Sequence, residues 1–272
     1  MILKKMMFAW AGLALLGAAE SRGQLQASLT LDHRRYAKFE PVLATLAVFN
    51  HADIPVIIDP RNGMVNARVV FAVERDGSQP VPYLQKGDAV TRLRVMPNEK
   101  QQVQVQLGDW FNMSGVGDYT ITAAVEFEGQ TAVTPSVNCS VDNGFVLKSI
   151  ERPLFSAAGE SRRYSVRYLA RDRGEYAFFR VEDPASEECY GTFALGPVLR
   201  GAVPVIEATG DGKVTVVHRS DINAMTRSSF VIEPDKAKFV NQTYHQLNGK
   251  ETGPKAEKEK TGNSSVDAKT GV

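Results

Sequence analysis

Apolar and polar side chains alternate along most of this chain, and this period of two constrains the fold more than any other feature. Successive side chains of a β-strand point to opposite faces of its sheet, so alternation is typical of strands with one buried face. Residues 115–129, GVGDYTITAAVEFEG, show it at Tyr119, Ile121, Ala123, Val125 and Phe127. No stretch of ten or more residues has a clear helical period. The sequence therefore predicts an all-β protein.

The first half is predicted to form a β-sandwich domain over residues 24–143. About seven short strands are separated there by Pro, Gly, Asn and Asp, a spacing typical of two-sheet sandwiches, although a barrel would also fit. Apolar faces recur in PVLATLAVFN (41–50), NARVVFAVERDG (66–77) and QQVQVQLGDWF (101–111). These segments would supply the inner faces of the two sheets.

One strand entry and one turn can be read in more detail. Tyr119 follows Gly117 and Asp118, so its ring could be buried with its hydroxyl bonded to a nearby backbone group, as in a tyrosine corner, or it could be an ordinary half-buried residue. Glu128 and Gly129 form a turn that joins this strand to its predicted partner, QTAVTPSVNCSV.

Two stretches of the first half resemble bacterial immunoglobulin-like modules. In YAKFEPVLATLAVFN, residues 36–50, Glu40, Pro41 and Val42 lead into an alternating strand, and GVGDYTITAAV, residues 115–125, lies near the end of the domain. Both are similar to secreted macroglobulin-like domains and to the small proteinase-inhibitor family of Bacillus. The resemblance covers residues 25–141 and implies a sandwich. It does not carry over inhibition, because no residue here matches a reactive loop.

A second, smaller β-rich domain is predicted over residues 144–247. Its hairpins turn at Asp172-Arg173-Gly174 and at Gly210-Asp211-Gly212, where glycine supplies a positive φ at little cost. Residues 248–272 have no aromatic side chain and, apart from alanine, only two apolar ones, both valine. Such a segment cannot bury enough surface to offset its ordering entropy, so we expect a disordered tail.

The first 19 residues have the pattern of a cleavable secretory signal peptide. Lys4 and Lys5 precede an apolar run over residues 6–16, which is too short to span a membrane, and small residues place the cut after Ala19 or, alternatively, after Gly23. We expect a secreted or periplasmic protein with no membrane span. Cleavage removes two of the 32 Lys and Arg and none of the 31 Asp and Glu, which leaves a net charge of −1. Near-neutrality gives no reason to expect nucleic-acid binding.

The sequence contains two cysteines, Cys139 and Cys189. Export would place them where a disulfide can persist, and one bridge between them would be worth up to ~4 kcal/mol. The alternative is two separate buried thiols, one in each domain, since sequence cannot supply the short Cα separation that a bridge requires.

No catalytic, cofactor-binding or metal-binding residue is assigned. Gly159-Glu160-Ser161 lacks the closing glycine of a nucleophile elbow, and the four histidines, His33, His51, His218 and His245, have no metal-ligand spacing. His218 extends an alternating row, so we expect it at the rim of a core with its hydrogen bonds satisfied. The sequence implies no cofactor.

The first hairpin of the second domain carries the candidate binding surface. Aromatic and Arg side chains together on an exposed sheet are what glycan or protein partners stack against. The candidate residues are Tyr164, Tyr168, Tyr176, Phe178 and Arg180.

The register of the hairpin decides which of these residues share a face. If the next strand points Ala177, Phe179 and Val181 into the core, its Tyr176, Phe178 and Arg180 face the other way. The paired strand adds one of two sets to that face: Tyr164, Val166 and Tyr168, or Arg163, Arg167 and Leu169. The alternative to an exposed surface is a sheet buried on both faces, Arg stems included.

The sequence is compatible with three functions. The first is a non-enzymatic secreted or periplasmic binding or scaffold protein whose partner is an unknown protein or glycan. The second is a glycan-directed hydrolase or hydrolase-accessory protein with its site in a groove between the domains. The third is an extracellular protease inhibitor. A cleft with two facing carboxylates would favour the enzyme, and a flat aromatic surface would favour the binding protein. The oligomeric state is unknown.

Overall fold

The computed structural model describes residues 24–154, 160–171, 174–247 and 251–252. Within these residues the chain forms 21 β-strands, two short 3-10 helices and no α-helix, so the predicted all-β class is confirmed. The predicted signal peptide lies outside the described residues. So does the predicted disordered tail, except for Glu251–Thr252, which pairs as a short strand. No helix in the described part of the chain has the length and apolarity to cross a membrane.

Residues 24–142 form the first unit, which contains twelve strands. They are β1 (Leu25–Leu31), β2 (Arg35–Ala37), β3 (Leu43–Asn50), β4 (Val56–Asp59), β5 (Met64–Val65), β6 (Ala67–Arg75), β7 (Gln79–Pro80), β8 (Leu93–Val95), β9 (Lys100–Gln106), β10 (Gly117–Phe127), β11 (Gln130–Val133) and β12 (Val137–Asp142). The 3-10 helices are Pro60–Asn62 and Leu107–Asp109.

The second unit begins after residue 142, and its described residues form nine strands. They are β13 (Phe145–Pro153), β14 (Ser161–Arg171), β15 (Gly174–Glu182), β16 (Cys189–Pro197), β17 (Val205–Ala208), β18 (Lys213–Asp221), β19 (Ala224–Ile232), β20 (Ala237–Gln246) and β21 (Glu251–Thr252).

The first unit packs two main sheets face to face around one core. One sheet has the order β1-β3-β9, and the other has the order β2-β12-β10-β6-β7 with β11 also paired to β10. A third, small sheet has the order β5-β4-β8. The inner faces of all three contribute to a single apolar cluster that includes Leu46, Phe71, Val95 and Ile121. Shared burial of this kind is what holds a sandwich together, because each sheet alone would leave its apolar face in water.

Strand β10 shows why the alternating pattern specifies this packing. All five of its predicted inward residues, from Tyr119 to Phe127, are buried. The hydroxyl of Tyr119 donates to the carbonyl oxygen of Gly115 at 2.7 Å. Of the two alternatives for Tyr119, the buried ring with a hydrogen-bonded hydroxyl is therefore the observed one. Glu128 and Gly129 both have positive φ, 48° and 74°, at the tight turn to β11. The predicted partner strand is divided into β11 and β12, which both pair with β10.

The second unit is a simple meander folded into two sheets. The orders are β13-β14-β15-β16 and β17-β18-β19-β20-β21, so within each sheet the strands pair in sequence order, and the chain passes from one sheet to the other between β16 and β17. Both strand pairs predicted for this half, β14–β15 and β17–β18, are confirmed. In the first of the two predicted turns, Asp172 and Arg173 lie outside the described residues, and Gly174 does not have the positive φ that the sequence predicts for it. Gly212 has φ 80° in the second of these turns, and a Cβ there would lie 2.8 Å from the carbonyl oxygen of Ile232. The two sheets enclose a second core that includes Phe179 and Phe230.

The two units meet at β2 and the turn that follows it. β2 is held in the first unit by parallel pairing with β12. Its last residue, Ala37, packs with Leu169 and Phe178 in a third buried cluster, against which Tyr176 also lies. This cluster belongs to neither main core, because it joins one strand of the first unit to the outer face of the second.

Candidate functional site

The predicted binding residues divide between the two faces of the second unit's first sheet. Directly opposed residues in an antiparallel pair share a face. Leu169 opposes Tyr176 and Arg167 opposes Phe178, so the register that placed Arg163, Arg167 and Leu169 beside the β15 residues is the observed one. Tyr164 and Tyr168 therefore lie on the other face, and the structure does not bring the five predicted residues together.

The β15 side of the predicted surface is buried under the first unit. Phe178 and Arg180 are each only 1% exposed. Arg180 donates through Nη2 to the carbonyl oxygen of Lys38 at 2.9 Å and through Nη1 to Asn143 Oδ1 at 2.7 Å. The expectation that these two side chains face solvent is wrong, and the alternative of a sheet buried on both faces, Arg stems included, holds here. Tyr164 is also buried, in the second core.

Burial of Arg180 is compensated by hydrogen bonds and a neighbouring carboxylate. Burial, followed by the nearby charge of Arg167, lowers the pKa of Arg180, and Glu182, with Oε1 at 3.4 Å from Nη1, acts in the opposite direction. A buried charge is tolerated when it is paired and hydrogen-bonded. The guanidinium of Arg180 is thus an anchor between the units and is not available to an external partner.

Arg171 forms a second anchor with Glu40. The two side chains form a buried ion pair, and the same Glu40 oxygen accepts the backbone N–H of Ala37 at 2.8 Å. Arg171 also lies over the ring of Phe178, with Cζ 5.0 Å from its centroid. The turn after β2 is therefore held at both ends. Arg180 donates to the backbone carbonyl of Lys38, and Arg171 forms an ion pair with Glu40.

Phe39, in the middle of this turn, has φ 67°. This left-handed conformation is uncommon for a bulky residue and costs free energy. The ring lies within 5.5 Å of Arg180 Cζ and within 4.7 Å of Lys38 Nζ, measured to its centroid. The contacts on both sides of Phe39 keep the backbone in this conformation, because the surrounding structure overdetermines it.

A cleft of about 310 Å³ lies between the units beside Phe39. Its walls combine aromatic, sulfur and polar side chains: Phe39, Glu40, Pro41, Leu84, Gln106, Gly108, Asp109, Phe111, Asn112, Met113, Ser114, Cys189, Tyr190 and Gly191. Its two carboxylates both have partners, because Glu40 is paired with Arg171 and Asp109 accepts the amide of Gln106 at 2.7 Å. Both carboxylates that line the cleft are therefore engaged in structural contacts.

Both cysteines are free thiols, so the disulfide between Cys139 and Cys189 is not formed. Burial in the first core raises the pKa of Cys139 to about 12. Burial also raises the pKa of Cys189, and its contact with the hydroxyl of Thr192 at 3.7 Å opposes that shift. Thiols with raised pKa values are poor nucleophiles at neutral pH.

His218 lies in the second unit with 1% of its surface exposed. Its Nε2 is 3.0 Å from the carbonyl oxygen of Pro197, whereas Nδ1 is buried and has no hydrogen-bond partner. The sequence predicts His218 at the rim of a core with its hydrogen bonds satisfied; the structure buries it fully, and one of its two ring nitrogens has a partner. Burial lowers the pKa of His218. Among the described residues, no group of three or more His, Cys, Asp and Glu side chains could hold a metal ion.

An exposed aromatic platform lies at the end of the second unit, and it includes one predicted residue, Tyr168. We use the name platform for Phe145, Tyr168, Glu175 and Arg200. Phe145 is 66% exposed and stacks on Tyr168 with centroids 5.2 Å apart and an interplanar angle of 21°. Arg200 Cζ lies 5.3 Å from the centroid of Tyr168.

Polar contacts fix the edge of the platform. Arg200 Nη1 donates to the hydroxyl of Tyr168 at 3.4 Å, and Arg200 Nε lies 2.7 Å from Glu175 Oε2. Sequence reasoning missed Phe145, Glu175 and Arg200 as members of one site. Phe145 is a direct cross-strand neighbour of Tyr168, so the register of β13 on β14 was the missing information.

No protein-family model matches the sequence, and no curated protein matches it. Among solved structures, the chain is similar to Spo0M, a sporulation control protein from Bacillus subtilis, with 9% sequence identity and a TM-score of 0.29 over 83% of this chain and 91% of that chain. A TM-score this low does not establish a shared fold.

Proposed function

We propose that this chain is an exported, non-enzymatic binding protein whose first unit is an immunoglobulin-like module. The observation that carries the proposal is the platform, in which a highly exposed Phe145 stacks on Tyr168 beside the Arg200–Glu175 ion pair. Exposed aromatic and Arg side chains held in a fixed arrangement are typical of recognition surfaces. The partner contacts the second unit, and the first unit serves as its support.

The joint between the units supports the role of a scaffold. Arg180 and Arg171 each connect the second unit to the turn after β2 through a hydrogen bond or ion pair that is shielded from water. Buried charged contacts of this kind fix orientation, because separating the units would leave charges unpaired. A partner bound at the platform would therefore meet a single rigid body.

The geometry favours a binding protein over a glycan hydrolase. Glycoside hydrolysis requires two carboxyl groups that flank the scissile bond, one of them free to donate a proton. In the inter-unit cleft, Glu40 is occupied by Arg171 and by the N–H of Ala37. A hydrolase acting there would have to break the contacts that join the units.

Affinity capture from the exported fraction of the source cells tests the binding role. The purified wild-type chain, Phe145→Ala and the control Phe239→Ala would each be used as bait. Phe239 is also an exposed phenylalanine, on β20, so it controls for loss of an exposed ring. We expect the wild type and Phe239→Ala to retain the same partner and Phe145→Ala to lose it. Equal capture by all three would show that the platform is not the binding site.

Export is tested by the amino terminus of the mature protein. Expressed with its own leader in a bacterial host, the chain should appear outside the cytoplasm and begin at Glu20, or at Gln24 for the alternative cut. Retention in the cytoplasm with the first 19 residues intact would contradict the proposed localisation.

A further inference from the structure

We infer that the platform binds a neutral saccharide, with one sugar ring stacked on the exposed face of Phe145. This inference rests on the proposed binding function and adds the chemical class of the ligand.

The first argument is the geometry of the stack. Tyr168 covers one face of the Phe145 ring at a small interplanar angle, and 66% of Phe145 is nevertheless exposed. The exposed surface must therefore include the opposite ring face. A flat ring face of this kind matches the C–H face of a pyranose, which is the apolar side of an otherwise polar molecule. Stacking of this sort removes apolar surface from water without burying a charge.

The second argument is charge. Arg200 is the platform's cation, and Glu175, 2.7 Å away, neutralises it. A phosphate, a sulfate or an acidic polymer would have to displace Glu175 or approach its carboxylate. A neutral ring with hydroxyl groups has no such cost, because it can accept from the guanidinium and donate to the carboxylate or to the hydroxyl of Tyr168.

The third argument is size. On β13, Phe145 shares the face of Tyr168, whereas its exposed neighbour Val146 opposes Arg167 on the other face. Leu147 packs against the second core. The strand therefore presents one exposed apolar side chain on this face. A stable protein interface buries about 800 Å² per partner, whereas the single exposed ring face of Phe145 matches the size of one sugar ring.

The fourth argument is preorganisation. Tyr168 lies on a central strand of its sheet and is held by strand pairing on both sides. Next to Phe145, Gly144 has φ 68°, and a Cβ there would lie 3.0 Å from the carbonyl oxygen of Tyr168. The N–H of Gly144 donates to Asp142 Oδ1 at 2.8 Å. The backbone that carries Phe145 is thus fixed before binding, which lowers the entropic cost of association.

The test is an NMR titration of the full mature chain with three neutral hexasaccharides, cellohexaose, hexa-N-acetylchitohexaose and mannohexaose, and with the anionic hexagalacturonate. We expect at least one neutral sugar to shift the resonances of Phe145 and Tyr168 in a saturable manner. Hexagalacturonate should bind more weakly. Failure of all three neutral sugars to bind, or preferential binding of hexagalacturonate, would overturn the inference.

Variants separate stacking from charge. Phe145→Ala should weaken binding of the neutral sugar by about tenfold, as expected for the loss of one aromatic stack, whereas Phe145→Trp should retain it and Phe239→Ala should leave it unchanged. Glu175→Gln removes the charge that neutralises Arg200, so it should raise the affinity for hexagalacturonate. Unchanged neutral-sugar affinity in a folded Phe145→Ala chain would place the sugar elsewhere and contradict the inference.

The same variants distinguish this inference from the proposed function. If Phe145→Ala loses the captured partner while the wild type binds none of the neutral sugars, the binding role stands and the saccharide is wrong. If Phe145→Ala still binds both the captured partner and the sugar as the wild type does, the binding role of the platform and the saccharide inference are both wrong. Circular dichroism and the melting temperature of each variant establish that it is folded.

Discussion

Arg171 and Glu40, 131 residues apart in the sequence, form an ion pair whose side chains are only 4% and 10% exposed. The pair closes the joint between the units from one side. Its members come from elements that the sequence assigns to different domains, so neither has a visible partner in its own segment. Removing one member would leave the other charge buried and unpaired.

The first prediction concerns this pair. Arg171→Met or Glu40→Gln should each lower the free energy of unfolding by about 3 kcal/mol, because each leaves one buried charge without its partner. The double variant should be less destabilised than the sum of the two, with a coupling energy of about 1–3 kcal/mol. Urea denaturation of the wild type, the two single variants and the double variant measures the coupling energy. The exposed pair Arg163–Glu151 is the control and should couple by less than about 1 kcal/mol.

The second prediction compares a buried phenylalanine, Phe178, with an exposed one, Phe145. Phe178→Ala should destabilise the chain by about 3–5 kcal/mol, because the ring fills the third cluster with Ala37 and Leu169. Phe145→Ala should cost less than about 1 kcal/mol, since most of its ring already faces water. Thermal and urea unfolding measure both. Similar losses of unfolding free energy for the two variants would contradict the difference in burial between Phe178 and Phe145.

The third prediction isolates the backbone of Phe39. Glycine and alanine both remove the ring, but only glycine adopts a φ of 67° without strain. We expect Phe39→Gly to be more stable than Phe39→Ala by about 1 kcal/mol. Phe49, half-buried on the extended strand β3, is the matched control, and there the order should reverse because glycine weakens a strand. The unfolding free energies of the four variants show, at each site, whether the glycine or the alanine variant is more stable.

The fourth prediction is a pH dependence that originates at His218. Its pKa is lowered from the usual 6.5 by burial, so the unfolded chain binds a proton more readily than the folded chain. The contribution of this group is therefore constant above about pH 6.5 and becomes destabilising as the pH falls through that value towards the folded pKa.

Urea unfolding at pH 7.5 and at pH 5.5 tests it. The wild type should lose stability at the lower pH, and His218→Gln should lose less, because glutamine can still donate to the carbonyl oxygen of Pro197 and does not titrate. His51→Gln, at an exposed position, controls for the replacement of a histidine by glutamine. An equal pH effect in all three proteins would assign the dependence to other groups.

The fifth prediction concerns the two thiols. Iodoacetamide at pH 7 should modify Cys189 slowly and Cys139 more slowly still, since Cys139 is buried in the first core and its pKa is raised to about 12. Both should react at once in denaturant. Peptide mass mapping over time gives the order. An exported protein whose intact mass is lighter by two hydrogens before reduction would contradict the free thiols.

Local structure was predictable from the sequence where one segment held all the necessary information. The inward face of β10 follows from alternation alone, and the turns at Glu128-Gly129 and Gly210-Asp211-Gly212 follow from residues that tolerate positive φ. These features depend on side chains a few residues apart. The all-β class follows from them directly.

The candidate site was predictable only in part, because its members are brought together by long-range pairing. Alternation places Tyr176, Phe178 and Arg180 on one face of β15, but it does not say that the turn after β2 covers that face. In the same way, Tyr168 is a visible surface candidate, whereas its contact with Arg200 depends on the path of the chain after β16. Aromatic and Arg side chains suit a buried joint as well as an exposed platform, so composition alone could not separate the two.

The pairing of β2 with β12 makes the joint between the units depend on a long-range contact inside the first unit. The turn that receives Arg180 and Arg171 follows β2 directly, and β12 is the strand with which β2 pairs. A substitution that weakens the pairing of β2 with β12 would therefore also loosen the cover over Phe178 and the two arginines of the second unit, although the substituted residue lies entirely in the first.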